Sequence, residues 1–341
     1  MQDAREQALK VLHGEVPDYT PLYFSSCQIL PFSGNPESPA FCAVGQAKDA
    51  YGCTQVMSDG AWTVDSTVSP VIDDIAHWRD KLVLPKASDV DWEAVVKADY
   101  ARFKPDFDNR VVDMIYNKGI FERMHFLMGF EQTMVNIMID PEEMAEFARV
   151  LTDVKVDFID KMLTYYKPDV LTFMDDYAFK DNIFMSLDTF REIFKPQLVR
   201  VVDCIHEHGV IAKLHCCGKM QALTQDYIEL GADVLDPVQP ANDIPAMFQT
   251  IRESGRKLGI SGGMDAQYVV DRVGATEEEI RAEIRRCLES YAGYPFMIYG
   301  ASIHIHDPKS YAPDGCLGIA IDEHRKYIES MMNLQSSQDV A

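Results

Sequence analysis

The C-terminal two-thirds of the sequence repeats one pattern, a short apolar run followed by a longer amphipathic stretch. This alternation constrains the fold class more than any other feature. Apolar runs at Val111–Tyr116, Leu171–Met174, Ile211–Leu214, Val234–Leu235, Leu258–Ile260 and Phe296–Tyr299 are bounded by turn residues such as Lys167-Pro168-Asp169 and Gly293-Tyr294-Pro295, and read as strands. Pro141–Tyr166, Leu187–His208 and Thr276–Ala292 carry apolar residues three or four apart and read as helices. The last of these opens on Thr276-Glu277-Glu278-Glu279, a capping box. Strands alternating with helices at this interval predict a parallel sheet covered by helices.

Pro21–Phe24 adds a seventh strand near the start, and an eighth is expected near Val135–Ile139. The predicted fold is therefore a (β/α)8 TIM barrel spanning residues 1–341 as a single domain. The segment from Pro31 to Lys104 breaks the repeat and is rich in Pro, Gly, Ser and Asp, so it reads as an inserted cap or hairpin layer after the first strand. Residues 335–341 read as a polar tail.

A net charge of −22 without a basic patch argues against nucleic acid as a partner. Apolar runs stay well short of the roughly 18 residues that a membrane span needs. Met1–Glu15 reads as a charged amphipathic helix rather than a signal peptide. Eight cysteines scattered through a chain of this size suit a reducing cytosol, which is the expected location.

In a barrel of this kind the residues just past each strand form the active site. Here they are Ser25 and Ser26, Asp175 and Asp176, His215 to Cys217, Asp236 and Gln239, Met264 and Asp265, and Ala301 to His306. In an extended segment, side chains two apart point the same way, so His215 and Cys217 face one side together and Cys216 the other. An imidazole and a thiolate at one strand end are two of the three protein ligands that a catalytic zinc takes. The third ligand is drawn from Cys316, His304, His306 or Asp176. Asp176 and Asp265 are also the candidate acid/base groups, Asp175 being the weaker choice of its pair. Ser26, Tyr177, Gln239, Met264 and Tyr299 are the candidate substrate-binding residues, and Phe24, Tyr177, Met264 and Tyr299 would suit an apolar substrate.

The segment HCCGKMQALTQDYIELGADVLDPVQP (His215 to Pro240) resembles the uroporphyrinogen decarboxylase superfamily, and is most similar to its zinc-dependent, corrinoid-linked methyltransferases. Those enzymes carry His-x-Cys followed by Gly, a helix and a Gly-Ala-Asp strand start. Arg5–Leu22, Gly119–Glu131, Leu187–Val202 and the GGMDAQYVV stretch with the following TEEEI match as well. The resemblance implies a single barrel, a zinc cofactor and methyl transfer between a small molecule and a corrinoid. No Asp-x-His-x-x-Gly motif for cobalamin occurs here, so the corrinoid would arrive on a partner protein. Two departures stand out. The decarboxylases grip substrate carboxylates with arginines after the first strand, where this chain has Phe24-Ser25-Ser26-Cys27-Gln28. The methyltransferases place their third ligand, a Cys between glycines, just past the last strand, where this chain has Gly300-Ala301-Ser302. The alternatives are a zinc-free decarboxylase using Asp176 as its acid, and a non-catalytic barrel that binds a corrinoid or a small aromatic.

Overall fold

A computed structural model describes residues 3–39, 45–58, 61–301 and 307–338. The chain has an α/β fold whose main sheet holds seven strands, with a separate three-stranded sheet between Pro31 and Lys104. In chain order the strands are β1 (Cys27–Leu30), β2 (Gln46–Lys48), β3 (Thr54–Ser58), β4 (Ala61–Val64), β5 (Val111–Tyr116), β6 (Val170–Met174), β7 (Ile211–His215), β8 (Val234–Val238), β9 (Gly259–Gly263) and β10 (Phe296–Tyr299). The chain divides into two compact units, one of Met1–Gln28, Asp106–Val111 and Asp233–Ala341, the other of Ile29–Pro105 and Val112–Ala232.

The second unit is built on β5, β6 and β7, paired in parallel with Tyr116 opposite Phe173 and Met174 opposite His215. Parallel pairing buries both faces of these strands, which is why their sequences are near-continuous apolar runs. The long helix Pro141–Tyr166 lies in this unit. Asp140 caps it by accepting the Glu143 N–H, Pro141 occupies its first turn, and Lys167 ends it at φ +48°. Leu187–Glu207 is helical throughout but widens to a π turn over Phe190–Phe194, just before Pro196, which has no N–H to give.

The segment from Pro31 to Lys104 forms the antiparallel sheet β2-β3-β4 and the helix Trp92–Phe103. A wholly buried ionic cluster fixes it within its unit. Arg123 donates to Glu37 and to Asp49 at 2.7 Å each, and Lys155 donates to Glu37 at 2.7 Å. The Tyr51 and Tyr116 hydroxyls reach the same Glu37 carboxylate at 3.1 Å. Burial alone would raise the Glu37 pKa, but the Lys155 and Arg123 cations outweigh it and hold the carboxyl below its ordinary range.

The first unit carries β8, β9 and β10 in parallel. The capping box at Thr276 and Glu279 is present and starts the helix Glu277–Tyr291. His324, on the helix Cys316–Gln338, is 1% exposed, and its imidazole meets the Thr20 carbonyl at 2.9 Å. Burial holds its pKa down at about 4, against an ordinary 6.5. A depressed histidine pKa contributes stability that is present above pH 6.5 and is lost as pH falls toward 4. Denaturant unfolding at pH 5 should therefore show a loss of about 2 kcal/mol from this group relative to pH 7. A His324→Gln variant should lose less by that amount, and an identical pH dependence in the two proteins would contradict the assignment.

Two expectations need correction. Val135–Ile139 is not a strand but the end of the helix Phe130–Ile139, so no eighth strand lies there. Pro21–Phe24 is not a strand either. Only Leu22 pairs, in a parallel bridge to Ile298, before the chain turns into the short helix Tyr23–Ser26, and the strand begins at Cys27. Among the described residues, no helix is long and apolar enough to cross a membrane, and the seven cysteines are free thiols.

Candidate metal centre

The register of β6 against β7 builds the site. With Met174 opposite His215, the two strands end level, and the residues that follow them leave the sheet together. His215 is 5% exposed, and its Nε2 lies 3.4 Å from Cys217 Sγ and 3.9 Å from Asp176 Oδ1. The same Asp176 oxygen accepts the Cys217 N–H at 2.6 Å, which ties the two loops to each other. One ligand atom from each of Asp176, His215 and Cys217 lies within 4.8 Å of the other two, and this is the only such group of three among the described residues.

The donor set fits zinc. Bonds of about 2.0–2.3 Å in a tetrahedral arrangement place neighbouring ligand atoms roughly 3.3–3.8 Å apart. The Sγ–Nε2 distance already lies in that range, and the nitrogen–carboxylate distance needs only a slight closure. Three protein donors of N, S and O type leave a fourth position open, which is the pattern of catalytic rather than structural zinc.

Local sequence holds the two loops in place. Gly218 has φ +88°, and a Cβ there would meet the Phe179 carbonyl oxygen at 2.5 Å, so the chain after Cys217 can pass only as glycine. Lys219 N–H then donates to that same carbonyl at 2.7 Å. Cys216 is wholly buried, with its sulfur 3.3 Å from the Tyr177 N–H. Burial pushes its thiol pKa up, which suits a packed thiol rather than a ligand.

Asp175 is buried and caps a helix that begins on another element. Its Oδ2 accepts the N–H groups of Ile120 and Phe121 at 2.6 and 3.0 Å, and its Oδ1 accepts that of Glu122 at 2.9 Å. Burial raises the Asp175 carboxyl to about 6, with the Tyr177 hydroxyl and these amides opposing the rise. Glu122 is pushed up as well, by burial and then by the negative charges of Asp176 and Asp175.

The sequence profile of the uroporphyrinogen decarboxylase (URO-D) family matches residues 61–307, well over half of the chain. The chain belongs to that family. Among solved structures, this URO-D chain resembles a methyltransferase from Methanosarcina mazei, with a TM-score of 0.60 over 95% of this chain and 99% of that one. Sequence identity is 15%, so the likeness is one of fold. Comparison with curated proteins gives no significant match.

The remaining expected site residues of the URO-D chain are placed as follows. His304, with its neighbour His306, lies outside the described residues. Cys316 begins the helix Cys316–Gln338 in the first unit and is not part of the three-donor group. Asp265, in the same unit, accepts the Tyr268 N–H at 2.8 Å and so caps the following turn. Tyr177 is buried with its hydroxyl on Asp175. Ser26 is buried, and its hydroxyl has no partner among the described residues. Met264 is buried beside Gly300, Tyr299 packs its ring 4.5 Å from that of Tyr23, and Gln239 accepts the Asn242 amide N–H through its carbonyl at 3.0 Å.

Sequence reasoning missed the cap that Asp175 provides. A weak signal was available: the helix Ile120–Met128 starts after Gly119, which has no side chain to cap with, so another residue must supply the acceptors.

Proposed function

We propose that this URO-D family chain is a zinc-dependent methyltransferase. It moves a methyl group between a small molecule, a methoxylated aromatic or a thiol, and a corrinoid carried by a separate protein. The observation that carries the reading is the convergence of Asp176, His215 and Cys217 at two adjacent strand ends. The fold likeness to a methyltransferase supports it.

In this reading the three residues hold the zinc, and the open fourth position supplies Lewis-acid polarisation of a donor's heteroatom or a lowered pKa for a bound thiol. His215, almost fully buried, anchors the set. Asp176 is aimed by the Cys217 amide, so that ligand and loop move as one. Phe179 is 41% exposed and stacks on Phe184 with ring centres 5.7 Å apart, beside the loop that follows Cys217. That aromatic surface suits a flat apolar donor and favours the methoxylated aromatic over the thiol. The seven free thiols among the described residues suit a cytosolic setting.

The test supplies zinc-loaded protein either with a reduced corrinoid protein and a panel of methoxylated aromatics or with the methylated corrinoid protein and a panel of thiols, and follows the corrinoid absorbance. Methylation of the corrinoid by at least one methoxylated aromatic, absent in a His215→Ala/Cys217→Ala variant, is the expected result. Equal turnover by parent and variant would overturn the assignment.

A further inference from the structure

We propose that Asp175 is the positioning residue of the metal centre: by clamping the start of the helix Ile120–Met128 it sets where Asp176 stands beside His215 and Cys217. This rests on the metal-site reading above.

Six bonds converge on Asp175 and the peptide group that precedes it. Its carboxylate takes the three N–H groups of Ile120, Phe121 and Glu122 and the hydroxyl of Tyr177. Its own N–H donates to the His215 carbonyl at 3.1 Å, so the residue is bonded directly to the backbone of a ligand. One residue earlier, the Met174 carbonyl accepts the Gly119 N–H at 2.7 Å. Asp176 therefore leaves a peptide fixed on one side by the helix and on the other by β7.

The helix start is itself held. Lys118 adopts φ +56°, an uncommon conformation for a residue with a Cβ, and its carbonyl accepts from buried Lys155 Nζ at 2.8 Å. The fit around Gly119 is tight, because a Cβ there would lie 2.4 Å from Asp175 Cβ. A carboxylate that only needed to cap a helix could come from that helix's own first turn. Here it comes instead from the residue beside a metal donor. Partners that orient metal ligands typically cost 10–100-fold in metal affinity when removed.

The experiment measures zinc affinity by chelator competition and the visible spectrum of the cobalt(II)-loaded protein, for the parent, Asp175→Asn, Tyr177→Phe and the double variant. Thermal melting of the metal-free proteins is the control for folding. Asp175→Asn is expected to weaken zinc about 10- to 100-fold and to alter the cobalt bands. Tyr177→Phe, which removes one of four bonds to the carboxylate, should weaken zinc by a smaller factor and add nothing in the double variant. If Asp175→Asn fails to fold, Tyr177→Phe alone decides. Folded variants with the parent's zinc affinity and cobalt spectrum would overturn the proposal while leaving the metal site standing. A parent that binds no zinc would overturn both.

Discussion

Replacing His215 and Cys217 together by alanine should strip the protein of zinc while leaving it folded. Parent protein purified without added metal is expected to carry one zinc per chain by elemental analysis. The double variant should hold the metal roughly 10^4- to 10^6-fold less tightly, because apparent zinc binding energies of about 10–16 kcal/mol in four-ligand sites amount to about 2.5–4 kcal/mol per ligand, and two ligands are removed. Folding should survive. His215 and Cys217 lie at and beyond the end of β7, whose pairing with β6 runs back to Ile211, and the core of that unit is built from apolar side chains such as Phe147, Phe158 and Phe173. Asp176→Asn should have the smaller effect, since an amide oxygen can still accept the Cys217 N–H. A parent free of metal, with melting unchanged in the double variant, would remove zinc from the reaction altogether.

The second large effect concerns stability. Glu37→Gln should destabilise the protein by about 3–5 kcal/mol, read as a lowered midpoint in urea. The reason lies in what is left behind. Arg123 and Lys155 each donate to this carboxylate from side chains with no exposure, and a neutral amide leaves both cations buried against too little negative charge. Asp49 can compensate Arg123 in part, at 2.7 Å, but it has no bond to Lys155. The contrast is a surface pair such as Lys81 with Asp73, where Lys81→Ala should leave the urea midpoint nearly unchanged. A loss below about 1 kcal/mol in Glu37→Gln would mean that the cluster has relaxed or taken up water.

Much of this fold was legible in the sequence because parallel strands buried on both faces leave short apolar runs with turn residues at their ends. Val111–Tyr116 and Phe296–Tyr299 appear in the structure with the same bounds. Val135–Ile139 misled for a physical reason. The helix Phe130–Ile139 exposes Val135, Met138 and Ile139 by 43%, 77% and 70%, so its sequence lacks the polar face that marks most surface helices. Pro21–Phe24 misled differently, since aromatic residues favour strands but here fill a turn of helix.

The candidate site divides the same way. The two-residue spacing of His215 and Cys217 is local, and the sequence displays it. That Asp176 joins them depends on the register of β6 with β7, which turn residues and apolar runs do not determine. The role of Asp175 was further out of reach, because its partners lie more than fifty positions earlier in the chain.

The three candidate metal donors come from one compact unit, while Ser26, Gln239, Met264 and Tyr299 belong to the other. The candidate donor set and the loops that follow β8 to β10 are thus written in separate stretches of sequence. Substitutions in the last hundred residues change none of the three candidate donors. A library randomised in those loops alone would leave Asp176, His215 and Cys217 unaltered in sequence.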